Sequence, residues 1–195
     1  MPASRRVRGH FFRASRFAAA ITALAALAIP VTASAEVSPT TPVLRSVQLS
    51  IPLATLNAAG DGGGACSANI SATFAGFKNT STGVVYGTWN PWYARTSCTG
   101  SLPAIDAQAG LQAPSGFWNY ANTASCVLCA PGESVQSNGA PLNCNPCNGE
   151  WLEKGTFDYE FPFVPGATLV FGPSCYYNGN MLQVRCVIYG TTVLS

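Results

Sequence analysis

Histidine and charge are what this sequence has least of. One histidine, His10, stands among 195 residues, and Lys, Arg, Asp and Glu together supply 9% of them, against about 25% in ordinary soluble domains. His10 lies in a segment expected to be removed, so the mature chain is read as having no imidazole. That excludes a Ser-His-Asp triad, a Cys-His dyad and any His-ligated metal centre. A phosphate-cradling loop is missing too: "GDGGG" at 60–64 is followed by neither the Lys nor the helix that a P-loop needs. Past residue 35, no stretch sustains a helical stripe over three turns.

The basic residues are concentrated at the start. Arg5, Arg6, Arg8, Arg13 and Arg16 form a basic head without an acid, Phe17 to Val31 is a fifteen-residue apolar run, and Ala33-Ser34-Ala35 fits a small-x-small cleavage site. This order is that of a secretory signal peptide, and the run is shorter than the about 20 residues of a membrane helix. Residues 1–35 are therefore read as a removed signal, and the mature chain as secreted or extracytoplasmic with no membrane span. Losing five arginines turns a net charge of +2 into −3. Five scattered bases (Arg45, Lys78, Arg95, Lys154, Arg185) against eight acids give no electrostatic footprint for nucleic acid. Residues 36–64 read as an N-terminal strand and a Gly-rich break, and 65–195 as the rest of the same single domain.

What the chain does have is period-two alternation, the mark of half-buried strands. Val47, Leu49, Ile51 and Leu53 share one face, with Pro52 suggesting a sheet edge or strand end. Cys66, Ala68, Ile70, Ala72 and Phe74 share another, and "KNTSTG" at 78–83 turns the chain back. Phe157, Tyr159, Phe161 and Phe163 alternate with Asp158 and Glu160. The last strands, 167–172 and 181–194, are expected to join through Asn178-Gly179, a hairpin signal. The stretch 103–113 admits one short helix, which Gly110 weakens. The pattern as a whole predicts an all-β antiparallel sandwich or barrel-like domain.

All eight cysteines follow the signal: Cys66, Cys98, Cys126, Cys129, Cys144, Cys147, Cys175 and Cys186. An even number in an exported chain favours disulfides. The strand reading brings Cys66 to Cys98 across the hairpin near residue 80, and Cys175 to Cys186 across Asn178-Gly179. The middle four form two Cys-x-x-Cys pairs whose spacing also admits a four-thiolate zinc site of Cys126, Cys129, Cys144 and Cys147. Structural zinc is therefore the alternative to the expectation of no cofactor. "CAPG" and "CNPCNG" resemble cysteine-rich extracellular modules of the C-x-x-C-x-x-G kind, which implies disulfides. Four cysteines allow three connectivities, of which Cys126–Cys144 with Cys129–Cys147 is one, and the sequence leaves the choice open. A thioredoxin-like role for "CVLC" lacks the βαβ unit that such a motif opens.

Glu150, Glu153, Asp158 and Glu160 hold half the acids within eleven residues. Two carboxylates about 5 to 9.5 Å apart, flanking a sugar, can hydrolyse a glycosidic bond. Asp158 and Glu160, two apart on a strand, fall about 6–7 Å apart at Cα, but the wet face of an aromatic-backed strand needs no chemistry to explain it. Trp89, Trp92, Tyr93, Trp118, Tyr120 and Trp151 do not all fit core alternation, and several stand beside Asn, Pro or Gly in expected loops. Exposed, such rings stack on sugars or anchor proteins; buried, they cap the sandwich. The expectation is a secreted, non-catalytic binding or surface-associated β module taking a glycan or an extracellular protein through these aromatics. The alternatives are a carboxylate-dependent glycan hydrolase, which requires a deep Trp-lined cleft at Asp158 and Glu160, and a structural envelope protein.

Overall fold

Alternating side chains produce twelve strands, and no helix, among the residues that the computed structural model describes: 39–57, 64–179 and 182–195. The expected signal peptide, and the Gly-rich break up to residue 63, lie outside them.

The first sheet is built on a meander of β1 (Thr40–Asn57), β2 (Gly64–Asn79) and β3 (Val85–Cys98). β7 (Ser134–Asn138) and β8 (Leu142–Cys144) lie end to end along the free side of β3, and β10 (Thr168–Phe171) pairs with the last four residues of β1. The second sheet runs β11 (Cys175–Tyr177), β12 (Gln183–Leu194), β9 (Gly149–Glu160), β4 (Leu102–Gln112), with β5 (Trp118–Tyr120) and β6 (Ala124–Cys129) end to end along β4. Every pairing is antiparallel. The two sheets pack face to face, so the alternation in the sequence does specify an all-β sandwich.

Their inner faces meet in one core. Cys66, Ala68, Ile70, Ala72 and Phe74 of β2 are all buried, as are Phe157 and Tyr159 of β9. The Trp89 ring lies 5.3 Å from Phe74 and 5.4 Å from Trp151, linking the sheets by aromatic contact. A buried hydrogen bond of 2.6 Å joins the hydroxyls of Thr96 on β3 and Tyr159 on β9, so neither pays the cost of an unpartnered buried hydroxyl. Burial holds the Tyr159 phenol above its ordinary pKa, with the Thr96 hydrogen bond opposing. Ser137 on β7 adds a second tie, accepting from the Ala109 N–H at 3.1 Å and donating to the Asn122 carbonyl at 2.8 Å.

Three expectations need correction. Residues 103–112 lie in β4, not in a helix: Ile105, Ala107, Ala109 and Leu111 point inward while Asp106, Gln108 and Gln112 point out. The Ala and Gln content favours helix locally, but pairing with β9 on one side and β5 and β6 on the other overrides propensity. The hairpin partner of β12 is the short β11, not 167–172, which joins the first sheet as β10. Phe163 is 77% exposed because β9 ends at Glu160, before alternation reaches it.

Candidate functional site

All eight cysteines are disulfide-bonded. Cys66–Cys98 and Cys175–Cys186 are directly opposed partners in the β2–β3 and β11–β12 ladders. The middle four pair locally, Cys126 with Cys129 and Cys144 with Cys147, one of the three connectivities that the sequence leaves open. Topology gives the reason. Cys144 lies opposite Gly87 near the start of β3, whereas Cys129 lies opposite Leu102, just past the other end of β3. The intervening length of strand is about 35 Å at the usual rise per residue, so the two pairs occupy opposite ends of the sandwich. The zinc alternative at Cys126, Cys129, Cys144 and Cys147 fails for the same reason, and no metal-holding group of His, Cys, Asp and Glu exists among the described residues.

The six aromatic candidates separate into two sets. Trp89, Trp92 and Trp151 are buried, with at most 3% of their surface exposed, and offer no face to a ligand. The Trp92 indole donates to the Ala140 carbonyl and that of Trp151 to the Cys147 carbonyl, both at 2.8 Å. All three belong to the core between the sheets. Tyr93 is half-buried on the first sheet. Only Trp118 and Tyr120 come together on an accessible surface, the outer face of the second sheet.

The register of that sheet places their neighbours. Tyr120 lies opposite Gly110, Gly110 opposite Lys154, and Lys154 opposite Tyr189. Two residues along, Gln108 faces Thr156; two further, Asp106 faces Asp158, which faces Arg185, which faces Tyr176. Gly110 is what lets the aromatic pair lie down. A Cβ there would come within 3.0 Å of the Tyr120 ring and 3.2 Å of the Trp118 ring. The two rings are nearly parallel, at 14°, with centroids 5.7 Å apart. The Lys154 ammonium sits 5.7 Å from one centroid and 5.8 Å from the other, within cation–π range.

Beside this platform is a shallow depression of about 370 Å³ lined by Asp106, Gln108, Tyr120, Lys154, Thr156 and Asp158 among others. A second, of about 250 Å³, continues past Asp158 and Arg185 to Glu160 and Asn178. Asp158 is already engaged: Arg185 grips both its oxygens at 2.7 and 2.8 Å, and the Asn178 amide donates at 3.3 Å. The hydrogen bond to Asp158 is the chief cause raising the Arg185 pKa, and a bidentate pair of this kind fixes geometry as well as charge. Asp106, directly beside it, accepts no hydrogen bond from the described residues. Of the other acids in the 150–160 cluster, Glu150 and Glu160 are exposed, but Glu153 is 1% exposed and points into the core.

The sequence reading missed Asp106, Gln108, Gly110, Lys154 and Arg185. The first three became visible only once 102–112 was a strand, since even-numbered positions there share one face. No protein-family model, no curated protein and no solved structure matches the chain.

Proposed function

We propose that this chain is an exported, non-catalytic module that binds a glycan on the outer face of its second sheet. The observation carrying this reading is the near-parallel Trp118–Tyr120 pair laid over Gly110 beside a row of hydrogen-bonding side chains, Asp106, Gln108 and Thr156, of which Gln108 also donates to the Ala121 carbonyl at 3.4 Å. A sugar ring presents an apolar C–H face and an equatorial rim of hydroxyls; a flat aromatic surface next to acceptors and amides complements both. Four disulfides in so small a chain suit an oxidising compartment, where extracellular glycans are met. The described residues hold no helix long and apolar enough to cross a membrane.

The hydrolase alternative draws less support. Asp158 and Glu160 lie on one strand of an open face, not on opposite walls of a cleft, and Asp158 is held by Arg185. Glycoside hydrolysis needs carboxyls approaching the bond from two sides.

Affinity electrophoresis against a panel of plant, fungal and bacterial polysaccharides, followed by calorimetry on the best ligand, tests the proposal. Trp118→Ala and Tyr120→Ala are each expected to weaken binding by about 5- to 30-fold, the usual effect of truncating an aromatic anchor. Gly110→Val should produce a similar loss by lifting both rings without removing either. If no polysaccharide retards the protein, or if the ring variants bind as the wild type does, the glycan reading is wrong.

A further inference from the structure

Among the described residues, β1 has strands on both sides only over its last four positions. β10 lies against Ala54–Asn57, and from Thr40 to Pro52 no strand among the described residues pairs with the side away from β2. A long edge of this kind displays a row of unpaired N–H and C=O groups, and β proteins usually blunt it with charge, brevity or a bulge. Here the thirteen residues carry a single charge, Arg45.

The prolines tell which peptide groups face out. A prolyl nitrogen carries no hydrogen and is accommodated where it points away from the ladder. Pro42 and Pro52 therefore face the free side and, with a period of two, so do Leu44, Ser46, Gln48 and Ser50. The Arg45 guanidinium, which donates to the exposed Leu44 carbonyl at 3.0 Å, agrees with this assignment.

These six positions are symmetric about Val47. Pro42 and Pro52 are equidistant from it, as are Leu44 and Ser50, and Ser46 and Gln48. A second β1 brought up antiparallel across a two-fold axis at Val47 sets Leu44 against Ser50 and Ser46 against Gln48. Each pair exchanges both backbone hydrogen bonds, and the prolines meet at the ends, where no donor is required. The side chains suit the same register. The two Val47 residues meet at the axis, Val43 falls opposite Ile51, and Arg45 falls opposite Leu49, so no like charges face each other. Val43, Val47, Leu49 and Ile51 are only half-buried within one copy, although Val43, Leu49 and Ile51 pack against the core. A second copy would cover what they leave open.

We propose that two copies of this chain associate through β1 in this register, joining their first sheets into one continuous sheet. The isologous pairing closes on itself, and backbone hydrogen bonds supply affinity as in other strand additions. The surface is on the opposite sheet from the glycan face, so the two proposals stand or fall separately.

Sedimentation of the wild-type protein from low micromolar to near-millimolar concentration should show a reversible monomer–dimer equilibrium. Gln48→Pro removes an outward donor while sparing the β1–β2 ladder, and should weaken the dimer by about tenfold or more, the effect of losing hydrogen bonds at the centre of the pairing. Circular dichroism and the thermal midpoint establish that this variant folds. Independently, Ser46→Cys and Gln48→Cys proteins should form a disulfide-linked dimer when mixed and oxidised, and neither should do so alone. Wild-type protein that remains monomeric throughout, a folded Gln48→Pro variant that dimerises undiminished, or cross-linking of either cysteine variant with itself in preference to the mixture would overturn the proposal.

Discussion

Replacing Glu153 with Met is expected to raise the thermal midpoint near pH 9 by on the order of 10 °C, and by much less near pH 4. Glu153 sits on the inner face of β9, between Trp151 and Gly155, with Leu111 of β4 and Gly190 of β12 beside it. Neither carboxyl oxygen has a hydrogen-bond partner. Burial drives its pKa from 4.5 to about 8, and the nearby backbone amides of Ser71 and Tyr93 pull it only part of the way back. Below about pH 4.5 the carboxyl is neutral whether the chain is folded or not, and the group imposes no pH dependence. As pH rises from there, the unfolded chain releases the proton and the folded one keeps it, so stability falls by about 1.4 kcal/mol per pH unit. The decline ends above about pH 8, where the folded state also ionises. The whole window removes about 3–5 kcal/mol. Glu153→Gln keeps the shape without the titration and should flatten the same slope. Thermal scans of the three proteins across this pH range decide the matter. A wild-type midpoint that is level from pH 5 to 9, or a slope that persists in both variants, would exclude Glu153 as its source.

Trp89→Ala should cost about 3–5 kcal/mol, the range for emptying a buried indole site. Its ring is fully enclosed and bridges Phe74 to Trp151, so the cavity would open where the two sheets touch. Trp89→Phe should cost less than about half as much, because the Trp89 indole N–H has no acceptor and its removal relieves an unmet desolvation cost. Urea unfolding at one fixed pH, so that Glu153 contributes equally to both, separates the two variants; equal losses would mean that ring volume alone matters at this position.

Much of the first sheet could be read from period two alone. β2 places every expected inward residue in the core, and the Cys66–Cys98 and Cys175–Cys186 pairs follow from hairpins that the turn residues announce. The failures have physical causes. Trp89 and Trp92 are both buried although they lie three apart, because the ladder slips between them: Asn90 and Pro91 stand against Thr73 alone. A bulge of this sort breaks alternation without leaving a sequence signal as plain as a turn. Pro52 does mark an edge, and a bulge follows there too, so that Leu53 and Ala54 are both inside. Glu153 was legible in principle, since Trp151, Glu153, Gly155, Phe157 and Tyr159 alternate inward. Counting acids as wet residues hid it. The proposed glycan face was the least legible part, because it is assembled from β4, β5, β9 and β12, which are brought side by side only by the fold.

The segment from 118 to 147 seals one flank of the sandwich. It lays short, interrupted strands along β4 and then along β3, and each of its two disulfides clamps four residues at the end of such a strand. That flank offers no long ladder for another chain to extend, whereas β1 on the opposite flank does. Growth of the first sheet by strand addition would thereby be self-terminating: once two β1 edges had paired, its broken flanks would face outward at both ends, and that sheet would keep no long ladder from which to become a fibre.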